Sequence, residues 1–332
     1  MSVRKPTIRT VAADAGVSVS AVSKVLRNAY GVSDSLRNRV EVSIEKLGYR
    51  PNTAARGMRG QSYAIGVLLV EFSNPFLPTV VDGIGKTLGA SQYKPFLGVG
   101  RRREEIEGPT IETMIDMSMD GLILVAPSLS RERITHYSRQ IPLVAIGHHD
   151  AEATSFDTVN SDDHAGGRLA TQALVDSGYR RIEMLTLPRD ATKPHNVQSR
   201  RESGYLDIMK AAGLPASIIR MKSATGPSEQ DLIAYLDRPE LPEAVFCWSD
   251  LHAIPLINIA RMQGLRVPED LAIVGYDNSP VAEMPLISLS SVDQDGSGLG
   301  ALAAETILSR LEGRTEARHD VISPKLINRV SS

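Results

Sequence analysis

The stretch TIRTVAADAGVSVSAVSKVLRN, residues 7–28, decides the fold of the amino-terminal region. Thr7 can cap a helix whose apolar residues recur at helical spacing, and Gly16 then permits a tight turn. Ser18 can cap a second helix only two residues after that glycine. Two short helices joined by so tight a turn indicate a helix-turn-helix unit, whose second helix would lie in the major groove of DNA.

A third helix completes this headpiece, which we define as residues 1–50. Ser33 can cap the helix and Gly48 can close it. Its apolar face consists of Leu36, Val40, Ile44 and Leu47. Spacing alone also fits a small helical bundle with a solvated basic face, and that alternative stays open at this point. Charge favours DNA, because residues 1–60 hold 11 Lys/Arg and four Asp/Glu, a net of +7, on a body that is net negative.

The next segment, residues 51–61, is a candidate hinge. Pro51 ends the third helix, because the residue before a proline is pushed out of the helical conformation. Met58 lies between Arg56 and Arg59. An apolar side chain flanked by arginines can insert between base steps of the minor groove while the arginines hold phosphates. A plain interdomain linker has the same composition, so both interpretations remain open.

The candidate DNA contacts are polar or exposed positions of the headpiece and hinge. Near the start of the second helix, Lys24 can donate to guanine and Val19 can contact a thymine methyl, whereas Ser20 discriminates less. The remaining polar candidates suit phosphate contacts, which set register rather than sequence. The full set is Thr7, Ser18, Val19, Ser20, Lys24, Asn28, Ser33, Arg56 and Met58.

The body that follows alternates short apolar runs with helical stretches. Near-continuous apolar strands alternating with helices indicate parallel sheets covered on both faces. The candidate strands are 64–70, 94–99, 121–126, 142–147, 181–187, 218–222, 244–248 and 271–275. Eight strands over this length suit two doubly wound α/β lobes better than one.

Composition and motifs exclude several classes of protein. The apolar runs are far shorter than the roughly 20 residues that a membrane span needs, and the first residues lack a signal-peptide core. Cys247 is the only cysteine, which suits a reducing cytosol, so we expect a cytoplasmic protein. We found no phosphate-binding loop, nucleophile elbow or metal-ligand spacing, so we expect no cofactor, no metal and no catalytic residue. A sugar-modifying enzyme and a solute-binding protein for transport remain the competing classes.

Residues 7–28, with Val-Ser at 32–33 and LGYRPN at 47–52, resemble the headpiece of the lactose-repressor (LacI/GalR) family. The resemblance continues through the body at 72–76, 159–167, 201–205, 268–277 and 299–304. It implies that Val19, Ser20 and Lys24 read bases and that Met58 takes the place of the wedge in the family's hinge helix. Gly57 departs from the family pattern and should cost about 1 kcal/mol of helix propensity.

The family's effector domain is similar to periplasmic sugar-binding proteins, in which a ligand lies between two lobes joined by crossovers. By resemblance the first lobe comprises 62–160 plus 291–319, and the second comprises 161–290 plus 320–332. A short headpiece and hinge need a symmetric partner, so we expect a homodimer on a pseudo-palindromic operator. No leucine heptads follow the last strand, which favours a dimer over a tetramer. The implied function is a ligand-responsive repressor. As in most of the family, we expect the effector to release DNA, although some relatives are corepressed.

Candidate ligand contacts lie at strand ends, where open α/β sheets bind ligands. Phe76 offers an apolar face to a sugar ring, Arg201 a bidentate fork of donors, and Asp277 an acceptor for a diol. With the positions implied by the resemblance, the set is Ser73, Phe76, His195, Arg201, Trp248, Ser249 and Asp277. These residues suit a polar effector such as a sugar, a polyol or a sugar acid.

Plainer roles compete with ligand binding at several positions. Arg201 could be a surface residue, and Trp248 could simply pack in a core. Asp250 is better explained as the cap of the following helix. His148 and His149 could form the rim of a pocket, but a solvated loop is the simpler interpretation.

Overall fold

The computed structural model describes residues 6–26, 29–50, 61–188, 196–222 and 226–332. The chain forms two compact units, 1–62 and 63–332. Four candidate site residues lie outside the described residues, namely Asn28, Arg56, Met58 and His195. Most of the candidate hinge lies outside them as well.

The headpiece consists of helices α1 (Ile8–Asp14), α2 (Val19–Leu26) and α3 (Asp34–Leu47). The predicted caps are confirmed. The hydroxyl of Thr7 accepts from the Thr10 amide, that of Ser18 from Ala21 at 3.1 Å, and that of Ser33 from Leu36 at 3.4 Å. Gly16 and Gly48 take left-handed φ values of 63° and 59°, which end α1 and α3 without steric cost.

A small apolar core holds these helices together. The predicted apolar face of α3 is confirmed, because Val40 is fully buried together with Val11 of α1 and Val22 of α2, and Leu36 and Ile44 pack against this cluster. Burial of each such side chain stabilises the unit by about 2 kcal/mol.

The body contains the following strands and helices. The strands are β1 (Ala64–Leu69), β2 (Lys94–Val99), β3 (Gly121–Val125), β4 (Leu143–Ile146), β5 (Asp157–Ser161), β6 (Ile182–Thr186), β7 (Ser217–Arg220), β8 (Ala244–Cys247), β9 (Ala272–Tyr276), β10 (Ser290–Asp293), β11 (His319–Ile322) and β12 (Lys325–Ile327). The helices are α4 (Leu77–Gly89), α5 (Glu104–Asp116), α6 (Arg131–Ser138), α7 (Asp163–Asp176), α8 (Val197–Ala211), α9 (Glu229–Leu236), α10 (Asp250–Met262) and α11 (Gly296–Leu311).

Two six-stranded sheets form the cores of two lobes. Their orders are β11-β5-β4-β3-β1-β2 and β12-β10-β9-β8-β6-β7. All strand pairs are parallel except β10 with β12. Helices cover both faces of each sheet. The predicted fold, an all-α headpiece followed by two doubly wound α/β lobes, is confirmed.

The strand pairing moves two of the expected lobe boundaries. Strand β10 pairs with β9, so residues 290–293 belong to the second sheet, whereas the sequence placed 291 onwards in the first lobe. Strand β11 pairs with β5, so residues 319–322 belong to the first sheet, whereas 320 onwards was expected in the second. The chain therefore passes between the lobes after β5, after β10 and after β11.

Close helix packing fixes the helices that border the space between the lobes. A Cβ atom added to Gly300 on α11 would lie 2.0 Å from the Val80 carbonyl on α4, so only glycine allows this approach. A Cβ atom added to Gly204 on α8 would likewise lie 2.3 Å from the His164 carbonyl on α7. In the described part of the chain, no helix has both the length and the apolar character needed to cross a membrane.

Candidate ligand cleft and DNA-contact residues

A cavity of about 310 Å³ lies between the two lobes of the body. Residues at or just after the carboxyl ends of β1, β3, β4, β5, β6, β8, β9 and β10 line it, for example Val70, Ala126, Trp248 and Asp277. Both doubly wound sheets thus present their strand ends to one cleft. This is the position at which open α/β sheets bind ligands.

Two aromatic side chains form apolar walls of the cleft. Phe76 lies at the start of α4 in the first lobe, and Trp248 follows β8 in the second. Both are at least nine-tenths buried. The buried Trp248 Nε1 has no hydrogen-bond partner among the described residues. An indole N–H in such a position calls for an acceptor from a ligand or from water.

Arg201 is buried in the second lobe and is not a surface residue. Its side chain is 3% exposed, and its Nε donates to Asp163 Oδ1 at 2.8 Å. Its Nη1 donates to the Trp248 carbonyl, also at 2.8 Å, and its guanidinium lies 3.6 Å from the centre of the Tyr276 ring. Burial opposes the charge, but the Asp163 carboxylate raises the pKa of Arg201 above its ordinary value, so the guanidinium remains charged.

Asp163 connects Arg201 to a histidine of the first lobe. Its Oδ2 lies 2.7 Å from His149 Nε2, and both side chains are almost completely buried. Burial alone would raise the pKa of Asp163, but Arg201 and His149 together hold it below the ordinary value. The solvated-loop interpretation of His149 is therefore wrong. The sequence around His149 does not indicate that its side chain is buried. Its burial is explained by the contact with Asp163, 14 residues further along the chain.

Asp277 makes hydrogen bonds to both lobes. Its Oδ2 accepts from Asn74 Nδ2 at 3.1 Å, its Oδ1 accepts from Gln294 Nε2 at 2.6 Å, and Arg201 Nη1 lies 3.9 Å away. Burial raises the pKa of Asp277 to about 7, with the Arg201 charge acting in the opposite direction. Its φ of 109° is one that side-chain-bearing residues rarely adopt. Such strain is concentrated at functional sites.

A second ion pair lies at the first-lobe end of the cleft. Arg102 donates to Glu71 from both Nε, at 3.0 Å, and Nη2, and Ser73 Oγ donates to Glu71 at 2.7 Å. Glu71 and Arg102 line the cleft, whereas Ser73 lies outside its lining. Ser73 therefore orients Glu71 instead of facing the cavity.

Ser249 and Asp250 lie behind the cleft wall. Ser249 is fully buried and its Oγ lies 2.9 Å from His252 Nδ1. Asp250 does not cap α10 as expected, since Ser249 occupies the capping position. Its carboxylate accepts from the Ser279 amide and the Ser291 hydroxyl, at 2.7 and 2.6 Å. Burial raises the pKa of Asp250 to about 6.

The structure thus brings together four of the predicted ligand residues, Phe76, Arg201, Trp248 and Asp277. Ser73 and Ser249 lie outside the cleft lining, and His195 lies outside the described residues. Sequence reasoning did not select Glu71, Asn74, Arg102, Asp163, Asn196, Gln198 and Gln294, which also line the cleft. Glu71 and Gln294 follow β1 and β10 closely, so position after a strand was the available signal.

The described DNA-contact candidates lie on the surface of the headpiece. Thr7, Ser18, Val19, Ser20, Lys24 and Ser33 are all exposed. Ser20 and Lys24 are one helical turn apart on α2 and share a face, opposite the buried Val22 and Val25. Ser18 Oγ lies 2.8 Å from Ser20 Oγ and accepts from the Ala21 amide, so its hydroxyl is already partly used within the helix start.

The described ranges contain no group of three or more His, Cys, Asp or Glu arranged to hold an ion. Each carboxylate in the cleft lining is instead engaged by protein donors, Glu71 by Arg102, Asp163 by Arg201, and Asp277 by two amides.

Comparisons with known proteins agree with this architecture. Residues 7–52 match bacterial regulatory proteins of the lacI family, and residues 171–332 match a periplasmic binding protein-like domain. The complex of the transcriptional regulator CelR with cellobiose is 30% identical, with a TM-score of 0.69 over 98% of this chain and all of that one. The lac repressor dimer bound to operator and the anti-inducer ONPF, at 22% identity and a TM-score of 0.83 over 99% of each chain, has the same fold.

Full-length similarity settles the family. The ribose operon repressor of Escherichia coli (strain K12) is 31% identical over 336 residues, which cover 98% of this chain and 99% of that protein. A helix-turn-helix headpiece, two doubly wound lobes and a cleft at their strand ends accompany this identity, and the chain belongs to the lacI family of bacterial regulatory proteins.

Proposed function

We propose that this regulator is a repressor whose affinity for operator DNA is controlled by a small polar ligand bound between the lobes. The observation that carries the proposal is the cleft itself. Asn74 of the first lobe bonds directly to Asp277 of the second, beside aromatic walls from both lobes. A ligand in this position contacts both lobes and therefore favours one angle between them over another.

The headpiece supplies the DNA contacts. Val19, Ser20 and Lys24 on α2 read base edges in the major groove, and Thr7 and Ser33 contact phosphates. The helix α2 is only eight residues long and reaches few base pairs. We therefore propose a homodimer on a pseudo-palindromic operator, with one headpiece on each half-site. Ser18, Asn28, Arg56 and Met58 belong to the same proposal.

The ligand is a sugar or a sugar derivative. Phe76 and Trp248 provide faces for a ring, and Arg201 and Asp277 provide a donor and an acceptor for hydroxyl groups. Ser73 and Ser249 act indirectly, through Glu71 and His252, and His195 completes the set by resemblance. Two similar proteins, a ribose operon repressor and a transcriptional regulator in complex with cellobiose, support this class of ligand.

Control of DNA binding is a population shift between lobe arrangements. The effector binds the arrangement in which the headpieces hold the operator poorly, so it releases DNA. No chemical step is required, and we propose that the protein acts in the cytoplasm as a regulator without catalytic activity.

An operator-binding assay tests the proposal. An operator is first isolated by in vitro selection with the full-length protein, and its affinity is then measured by fluorescence anisotropy with and without sugars and polyols. We expect a pseudo-palindromic sequence, two protein chains for each operator, and at least one ligand that weakens binding about tenfold or more. Ligands that bind the body yet leave operator affinity unchanged would contradict the proposed control.

A further inference from the structure

The cleft contains two guanidinium groups among its described lining residues, and a buried carboxylate already engages each of them. Arg102 donates twice to Glu71, and Arg201 donates to Asp163 at 2.8 Å. Both carboxylates are less than 8% exposed, so water screens these pairs poorly. Neither arginine presents an unbalanced positive charge to the cavity.

A third carboxylate gives the lining more acidic than basic groups. Among the described residues, Asp277 accepts from the neutral amides of Asn74 and Gln294, and Arg201, the cation that lies 3.9 Å from it, is bound more closely by Asp163. Burial raises the pKa of Asp277, because a negative charge is poorly solvated at this position. A ligand carboxylate or phosphate would add such a charge to the same enclosed space.

Asp163 is the residue that removes Arg201 from anion binding. As the first residue of α7 it is held by the helix, and His149 fixes its other oxygen at 2.7 Å. To bind Arg201, an incoming ligand carboxylate would have to displace the Asp163 carboxylate. Asp163 would then remain buried beside a second negative charge. A hydroxyl group carries no charge and can accept from Arg201 without that displacement.

We propose that Asp163 makes this cleft selective for uncharged polyhydroxyl ligands and against the corresponding sugar acids and sugar phosphates. This inference rests on the proposed function of the cleft as an effector site. It narrows the ligand class from sugars, polyols and sugar acids to the neutral members. The remaining polar groups suit that class, since Asp277 accepts from hydroxyls and the unpartnered Trp248 Nε1 donates to one.

Matched ligand sets test the proposal on the full-length protein. Each set contains a neutral sugar, its aldonate or uronate, and its phosphate, such as glucose, gluconate, glucuronate and glucose 6-phosphate, with corresponding sets for ribose, galactose and cellobiose. Thermal shift is followed by calorimetric titration of every ligand that raises the melting temperature. We expect binding only by neutral members, or at least about tenfold tighter binding by the neutral member of a set. Tighter binding by an acid or phosphate, or binding by no neutral member, overturns the proposal.

Two variants locate the selectivity at Asp163. Asp163→Asn keeps the size of the side chain but removes the charge that neutralises Arg201, so the ratio of acid to neutral affinity should rise about tenfold or more. Asp162→Asn removes the same charge one residue earlier, where the side chain caps α7 and accepts from the Ala165 amide. Since asparagine also caps helices well, this control should keep the wild-type ratio.

A folded Asp163→Asn protein with an unchanged ratio contradicts the role of Asp163. Should this variant fail to fold, the wild-type ligand sets still decide the selectivity.

Operator binding by the same preparations separates this inference from the proposed function. Release of operator by a sugar acid that binds more tightly than its neutral counterpart upholds the function and overturns the charge selectivity. A neutral sugar that binds in the cleft without affecting the operator upholds the selectivity and overturns the function.

Discussion

Asn74 donates a hydrogen bond from its side-chain amide to Asp277, with 3.1 Å between Nδ2 and Oδ2. Asn74 precedes α4 in the first lobe and Asp277 follows β9 in the second, so the bond joins residues 203 positions apart across the cleft. Asn74 also accepts from the Phe76 amide at 2.9 Å, which holds its side chain in place. The relative position of the lobes is therefore coupled to this buried carboxyl group, as it is to that of Asp163 through His149.

Replacing the donor of this bond should open the lobes. In Asn74→Asp the side chain can still accept from the Phe76 amide. Its new carboxyl group, however, faces the carboxyl group of Asp277, to which the Asn74 amide donates in the wild type. We expect a lower melting temperature and a larger radius of gyration in small-angle X-ray scattering at pH 8. At pH 5 the two carboxyls can share a proton, so both properties should recover toward wild type. A variant that is equally compact at both pH values would show that this bond does not hold the lobes.

Removing the acceptor should disconnect the ligand from DNA binding. Asp277→Asn deletes the charge to which ligand hydroxyls donate, and hydrogen bonds to charged groups contribute about 1.5–3 kcal/mol. We expect ligand affinity to fall about 10- to 100-fold by calorimetry, and the release of the operator at a given ligand concentration to weaken with it. Normal release of the operator by the ligand would show that the binding site lies elsewhere.

The apolar strands of this body were predictable from sequence, but the strands at the crossovers were not. Strand β1 reads AIGVLL and was recognised within one residue, whereas β5 reads DTVNS and was not recognised as a strand. Every residue of β5 is nevertheless buried. Asp157 accepts from Arg310, Arg314 and the Arg318 amide, so distant groups satisfy its charge. A local hydrophobic pattern cannot record partners more than 150 residues away, and for the same reason the expected boundary at 319/320 missed the pairing of β11 with β5.

The same limit applies to the candidate ligand site. Phe76, Trp248 and Asp277 follow or lie near strand ends, and topology alone brings strand ends together. Asp163 gave no comparable signal, because its importance comes from contacts with Arg201 and His149 that only the folded chain creates. Ser249 illustrates the opposite case, since a residue directly after a strand can be fully buried behind the cleft.

Acid should destabilise the body through His252. Burial lowers the pKa of this histidine from 6.5 to about 4, so between these pH values the unfolded chain binds a proton that the folded chain does not. The contribution of His252 to stability is therefore complete above pH 6.5 and falls by about 3 kcal/mol as the pH drops to 4. The variant His252→Gln does not titrate, and its free energy of unfolding should lack this loss.

The test compares the two proteins by urea unfolding between pH 4 and pH 8. Burial raises the pKa of both Asp250 and Asp277, which makes their contributions change in the opposite direction over part of this range. Both carboxyls are present in wild type and variant, so they largely cancel in the difference. A difference that does not vary with pH would contradict the lowered pKa of His252.

Two glycines on one helix should respond oppositely to alanine. A Cβ at Gly83 would lie 2.1 Å from the Ser297 carbonyl on α11, so Gly83→Ala should push α4 and α11 apart and destabilise the body by about 3 kcal/mol. Gly85, two positions further along α4, has no atom within 4 Å of an added Cβ. Gly85→Ala should therefore stabilise the protein by about 0.5–1 kcal/mol. Equal effects in urea unfolding would contradict the close packing.

Lys24 should decide how the headpiece tells its operator from other DNA. It is exposed on α2, one turn from Ser20, and an ammonium group there can donate to guanine in the major groove. We expect Lys24→Ala to weaken operator binding by about 1–3 kcal/mol and random-DNA binding much less, measured by anisotropy at one salt concentration. Lys46→Ala is the matched control, because Lys46 is equally exposed but pairs with Asp14 on α1. The control variant should lose the same small amount of affinity for operator and for random DNA. Equal losses on both DNAs for Lys24→Ala would make Lys24 a phosphate contact and leave base reading to Val19 and Ser20.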